Sequence, residues 1–271
     1  MPKPRPRSIS VCSGKGGTGK TVLTANLGIA LGSLGKKVVI MDADLAMANL
    51  SIVMGMHRCE VTLFDVLKGK ATLEQALYRN YGIEVLPTGF RFEEVQEMLG
   101  NLSREKVEEI VSELLNRAEI LLLDAAAGLQ ETSLLLLAAA REALPVSTPS
   151  YASLVDVYKT IRIANLLRVW TRGLILNRVG STDLSREEVQ AFMARAVKGL
   201  PILAEIPEDP KVREAEREGI PVIIYDPSCP ASEAIQKLAK IIAGEEDLPY
   251  HPLEEREIKE TTRRLLAALL G

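Results

Sequence analysis

Apolar residues in this chain recur with two periods that take turns along its length. Ile9 and Val11 alternate with Ser8 and Ser10 and run into Cys12, which predicts a strand, whereas Val22, Leu23, Ala25, Leu27, Ala30, Leu31 and Leu34 recur at helical spacing. Gly35 then supplies a left-handed stop, and Lys37 to Asp42 reads as a buried strand ending in acid. Val61 to Leu67 and Thr72 to Arg79 read as short helices, the second opened by a Thr72…Gln75 capping box, and Gly82 to Pro87 as a returning strand. An amphipathic helix from about Ser103 carries Val107, Ile110, Val111, Leu114 and Leu115 on one face, and the strand Ile120 to Asp124 follows it. Leu134 to Ala143 is apolar enough for a buried helix. Pro145 demotes a central strand, so the next strand either starts at Val146 or is distorted. Ser153 to Asn165 predicts a helix, Gly173 to Val179 and Ile202 to Ile206 strands, with a helix boxed by Ser185…Glu188 between them. Pro221 to Tyr225 reads as a last strand and Ser232 to Ile242 as a last helix.

Strands therefore alternate with helices from Ser8 to Ala243 with no linker, repeat or shift of composition. That pattern predicts one doubly wound α/β domain, a mostly parallel sheet with helices on both faces. The expected division is a basic, disordered lead over 1–7, the α/β domain over 8–247, and a C-terminal segment over 248–271. Length does not decide this, because 271 residues suit one large domain or two small ones at about 150 residues each.

Composition narrows the function. The net charge is −3 and aromatics are 4%, which argues against both a nucleic-acid electrostatic footprint and base-stacking platforms. DNA is accordingly not an expected partner. Cys12, Cys59 and Cys229 form no CxxC, and His57 and His251 form no cluster, so disulfides, zinc and iron–sulfur chemistry lose support. The basic start lacks the apolar core of a signal peptide, and the run Leu134 to Ala140 is far below the roughly 20 residues that span a bilayer. A cytoplasmic protein is expected, at most peripheral at the inner face of the membrane.

The chemistry centres on Val11 to Thr21, VCSGKGGTGKT, which lies between a strand and a helix. Gly14, Gly16, Gly17 and Gly19 free the backbone around Thr18 to turn successive N–H groups onto phosphate oxygens at the positive end of a helix. Lys20 adds a point charge and Thr21 a hydroxyl for Mg²⁺. Asp42 and Asp44 stand near one strand tip, where ligands bind in open parallel sheets, and face the same phosphates. Asp124 ends an apolar strand, the arrangement that holds Mg²⁺ through water. Gly128 can bring a backbone N–H near a γ-phosphate.

Lys15 makes this loop resemble the deviant Walker A motif of the MinD/ParA ATPases, a P-loop NTPase fold of the SIMIBI type. The resemblance covers Ser8 to Ala243, and from Asp42 to Gly89 it is especially close to archaeal MinD-like proteins. It implies binding of ATP with Mg²⁺, slow hydrolysis, and a face-to-face homodimer in which Lys15 serves the partner's phosphates. It implies that Asp44 orients the attacking water and that Asp42 helps hold the Mg²⁺ water shell. Ala125 to Leu129 would be switch II, with Ala126 where relatives usually carry proline. Asn177 would read the adenine edge and, with Pro207, Glu208 and Asp209, form the base pocket. Asp156 matches an acidic position beside the dimer and partner surface, although an ordinary exposed helix acid reads equally well. The implied role is MinD-like spatial regulation of division or placement of cell-surface machinery, through an activating partner the sequence does not name. A flagellar-number regulator and a ParA-like DNA-partitioning ATPase are the alternatives. A metal-cluster scaffold would need paired cysteines.

In the tail, Ile258, Leu265, Leu266, Leu269 and Leu270 fall on one side of a helix, flanked by Lys259, Arg263 and Arg264. Such a helix over 253–271 binds a membrane in many MinD-like proteins, but Glu254, Glu255, Glu257 and Glu260 would repel anionic lipid. Docking on protein is the other reading.

Overall fold

The computed structural model describes residues 6–44, 48–89, 104–128, 131–180, 184–197 and 199–244. Nine strands among them join one sheet: β1 (Arg7–Cys12), β2 (Val38–Ala43), β3 (Tyr78–Asn80), β4 (Ile83–Leu86), β5 (Ile120–Ala125), β6 (Glu142–Ser147), β7 (Trp170–Thr171), β8 (Leu174–Val179) and β9 (Ile202–Pro207). Their order is β3-β4-β2-β5-β1-β6-β8-β9, with β7 also on β6. Every pairing is parallel except β3 with β4. The doubly wound expectation holds.

Period-two alternation sorts each central strand between two cores. Val38 and Ile40 of β2 and Leu122 of β5 join one cluster with Leu23, Leu27 and Leu31 of α1 (Lys20–Ser33) and Ile235, Leu238 and Ile242 of α11 (Pro230–Gly244). Val39, Met41, Leu121 and Leu123 face the other way, onto Val107, Ile110, Val111 and Leu114 of α5 (Arg104–Arg117). Further along that face lie α6 (Glu131–Ala139), α7 (Tyr151–Leu166) and α8 (Arg186–Ala196), the last opened by the expected Ser185…Glu188 box. Short helices α2 (Leu50–Val53), α3 (Leu63–Leu67), α4 (Leu73–Ala76), α9 (Pro210–Glu218) and α10 (Val222–Tyr225) complete the described elements.

Four local expectations need correction. The helix from Thr72 has its capping box but ends at Ala76, and Tyr78–Asn80 becomes the antiparallel edge strand β3. Tyr81 and Gly82, both at positive φ, turn the chain into β4, and Asn80 Nδ2 donates to the Met54 carbonyl (2.8 Å). Pro221 to Tyr225 is a helical turn rather than a strand, fixed where the Ile223 N–H donates to buried Asn26 Oδ1 (2.9 Å). Arg7 belongs to β1 and not to the basic lead. The helix expected to reach Ala143 stops at Ala139, and β6 then runs straight through Pro145.

Pro145 is tolerated because of where the ladder changes partner. The Arg141 and Ala143 carbonyls accept the Trp170 and Arg172 N–H groups, and by the alternation of the ladder residue 145 faces the same β7 and β8 edge as residue 143. On that edge β6 pairs with β7 through Ala143 and with β8 only from Val146 onward. The missing N–H falls in the gap between them.

At the amino-terminal end of the sheet, Glu142 receives Arg7 Nε and Nη2, each at 2.9 Å, together with Arg172 Nε. Arg7 Nη1 also donates to the Ile242 carbonyl (2.7 Å), tying α11 to β1. Glu142 and Arg172 are buried. Glu142→Gln removes the charge that both guanidinium groups share, and it should cost about 3–5 kcal/mol of unfolding free energy in urea titrations. A loss under about 1 kcal/mol would mean that the cluster behaves like an exposed pair.

The lead over 1–5, the start of α5 at Ser103, Leu129 of switch II and the tail helix over 253–271 lie outside the described residues.

Candidate functional site

Strand β1 carries the chain to Cys12, and the loop Ser13 to Gly19 turns it into α1. A Cβ on Gly14 would stand 2.1 Å from the Asp156 carbonyl carbon, so the loop lies directly on the backbone of α7 and only glycine fits. Gly19 caps α1 at φ 81°, and a Cβ there would meet Asn177 Nδ2 at 2.3 Å. The Ser13 hydroxyl donates to the Lys15 carbonyl (2.8 Å), and Asn177 Nδ2 to the Thr18 carbonyl (2.7 Å). Lys15 is half-buried, Gly16 and Gly17 are exposed, and Lys20, the first residue of α1, is buried. Thr18 is buried too, and its hydroxyl has no partner among the described residues. Burial pushes the Cys12 thiol up to about 12 against the pull of Lys20, so no thiolate stands behind the loop.

Asp42 and Asp124 are neighbours across the β2–β5 ladder, on the face that packs against α1. Both are 1% exposed. Asp124 accepts from the hydroxyls of Thr24 (3.0 Å) and Thr21, and burial raises its pKa to about 6 while Lys20 pulls it down. Asp42 goes well above the usual carboxylate range, first by burial and then by the Asp124 charge. Its Oδ1 accepts the Asp44 N–H (3.1 Å), and its Oδ2 has no partner among the described residues. Two adjacent buried carboxylates, one with an orphaned oxygen, are costly unless a cation compensates them. No cluster of three or more His, Cys, Asp or Glu forms a metal cage among the described residues. An all-oxygen set this small fits Mg²⁺, which keeps several waters and takes ligand phosphate oxygens.

Beside the loop, the ends of β8 and β9 and the start of α9 enclose a cleft of about 290 Å³, lined by Gly17, Gly19, Leu23, Asn177, Pro207 and Asp209 among others. Glu208 lines it too, paired with Arg178 (2.8 Å) and Arg213 (2.5 Å), and the Arg178 hydrogen bond holds its carboxyl below the usual range.

Residues 6–243 match the family model described as ParA, NUBPL iron-transfer P-loop NTPase. The chain is a member of the ParA family of P-loop NTPases. An uncharacterized ATP-binding protein of Methanocaldococcus jannaschii is 38% identical over 240 residues, 88% of each chain. Among solved structures, the septum site-determining protein MinD from Pyrococcus horikoshii, complexed with Mg-ADP, is 39% identical with a TM-score of 0.80, over 87% of this chain and 95% of that one. The MinC:MinD cell division protein complex of Aquifex aeolicus includes a chain 30% identical with a TM-score of 0.77, over 91% and 100%. The fold is that of MinD.

In this ParA-family chain the predicted residues gather at the carboxyl edge of the sheet, but two are differently engaged than expected. The Gly128 N–H is committed to the Ser13 carbonyl (3.2 Å), so reaching a phosphate would require releasing it. Asp209 spends both oxygens on backbone, accepting from Lys211 (2.9 Å) at the start of α9 and from Ala231 (3.1 Å) in α11. It shapes the cleft by fixing two helices. Sequence reasoning missed α9 itself, although Asp209, Pro210 and Gly219 are an N-cap, an N1 proline and a left-handed stop at φ 64°. It also missed Thr24, one helical turn beyond Lys20, and the Arg178–Glu208–Arg213 cluster on the cleft rim.

Proposed function

We propose that this chain is a MinD-like switch ATPase: it binds ATP with Mg²⁺, dimerises face to face while ATP is bound, and hydrolyses it slowly. Its purpose is the positioning of division or cell-surface machinery through a partner protein. The observation that carries this reading is the juxtaposition of a phosphate loop, holding Lys15 beside its exposed glycines, with the buried Asp42–Asp124 pair and a base-sized cleft.

Backbone N–H groups from Gly14 to Thr21 receive the phosphates, and Lys20 adds a fixed charge. Thr21, Asp42 and Asp124 would hold the Mg²⁺ water shell, and the ion would supply positive charge against the phosphate oxygens. Asp44 orients the attacking water, and Lys15 of a second copy completes the charge around the phosphates. Asn177 offers the base its amide oxygen and the second Nδ2 hydrogen, the first being given to the Thr18 carbonyl, and Pro207, Glu208 and Asp209 wall the pocket. The solved MinC:MinD complex motivates a partner protein here. No helix among the described residues is long and apolar enough to cross a membrane. Iron transfer, named in the family description, lacks the paired cysteines that a shared cluster needs, and a net charge of −3 does not favour DNA.

Light scattering decides the switch: dimers with a slowly hydrolysed ATP analogue and monomers with ADP are expected, and monomers with both would defeat the proposal. Asp44→Ala should keep ATP affinity and the ATP-bound dimer while lowering turnover by about 10²–10⁴-fold, the usual worth of a positioned proton acceptor. A variant that stays monomeric with ATP would remove Asp44 from that role.

A further inference from the structure

Arg178 follows Asn177 at the end of β8 and stands at φ 58°, a left-handed conformation that a long side chain adopts only against steric resistance. The turn sends its guanidinium back over the cleft. Nε and Nη2 reach Glu208 at 2.8 and 3.4 Å, while Nη1 donates to the Gly17 carbonyl at 3.4 Å. Arg213 grips the same carboxylate from the other side at 2.5 Å, so the fork is braced where it meets the loop. Its neighbour Asn177 holds the next carbonyl, that of Thr18.

Two consecutive loop carbonyls are thus turned toward the end of β8 by consecutive residues of that strand. A trans peptide is planar, with its N–H directed opposite to its carbonyl. Anchoring the Gly17 and Thr18 carbonyls therefore aims the N–H groups of Thr18 and Gly19 away from β8. We infer that Arg178 is a positioning residue for phosphate binding, which acts with Asn177 to pre-orient the Thr18 and Gly19 amides. Preorganised donors bind without reorganising when the anion arrives. This inference rests on the nucleotide reading of the site. It adds that the strand end beneath the base pocket also sets the phosphate end.

The test separates phosphate from base. Arg178→Asn keeps a residue that tolerates the left-handed region but is too short to reach Gly17. Calorimetry should give affinities for ATP and ADP about tenfold weaker, the worth of a hydrogen bond from a charged group. Adenosine binding, followed by ligand-observed NMR, should be unchanged, and the Thr18 and Gly19 amide resonances should shift. Arg213→Gln, which leaves Arg178 and Glu208 in place but removes the second grip on that carboxylate, should give a smaller loss of the same phosphate-dependent kind, about threefold, and keeps the test open should the first variant melt early. Arg178→Lys, whose ammonium serves one partner at a time, should fall between wild type and Arg178→Asn. Equal losses for adenosine and ATP would reassign Arg178 to the base pocket and overturn the inference, as would unchanged ATP affinity. Wild-type protein that binds no ATP would instead overturn the nucleotide reading, and this inference with it.

Discussion

Lys20→Ala is expected to abolish useful ATP binding, weakening it about thirtyfold or more. Lys20 is 8% exposed at the first turn of α1, so its charge is only weakly screened, and its field already pulls against the burial that raises the pKa values of Asp124 and Cys12. Truncating one member of a desolvated charge pair costs about 2–5 kcal/mol, which at 1.4 kcal/mol per decade is about thirtyfold to several thousandfold. On the proposed reading the lysine faces phosphate in the ground state and the transition state alike, so affinity falls and not only turnover. Calorimetry with ATP checks it, and an unchanged dissociation constant would remove Lys20 from the phosphate site.

Lys15→Ala should leave ATP affinity nearly intact and abolish dimer-dependent hydrolysis. If its charge completes the site of a second copy, the loss compares with other trans-acting cations of phosphate-loop enzymes, about 10³–10⁵ in rate. Turnover per molecule should then rise with protein concentration in the wild type and stay flat in the variant. A wild-type rate that is flat across the range and equal to the variant's would refute action in trans. The contrast between two lysines five positions apart follows from their settings: Lys20 is buried in the helix start, and Lys15 precedes the exposed Gly16 and Gly17.

Much of this site was legible because its determinants are local. Strand, glycine loop and helix follow one another within Ser8 to Leu34, and Asp42 and Asp124 end apolar runs that can only be central strands. Their meeting across β2 and β5 follows from parallel topology. What escaped depends on contacts remote in sequence. Pro145 argued against a strand until the change of partner from β7 to β8 gave its missing N–H a harmless direction. Val222–Tyr225 has the β-branched composition of a strand, yet Asn26, far away on α1, caps it as a helical turn. Glu208 is expected in the wall of the base pocket, but Arg178 reads as an ordinary charged residue at a strand end. Only the left-handed turn at Arg178 brings the fork onto the loop.

The seam at Pro145 has a mechanical consequence. Asn177, Arg178, Pro207 and Glu208 all belong to the β8–β9 side, which is joined to β6 through the pairs Val146 with Ile175 and Ser147 with Leu176. The phosphate loop belongs to β1, on the other side, where β5 and β6 flank it with long, uninterrupted ladders. Local opening follows thinly bonded lines in a structure, and this two-pair joint lies between the base wall and the phosphate cradle, bridged by the Asn177 and Arg178 bonds to the loop. A nucleotide spanning both would rivet the sheet across that joint, so occupancy would be felt as amide protection along β8 and β9 and not only in the loop.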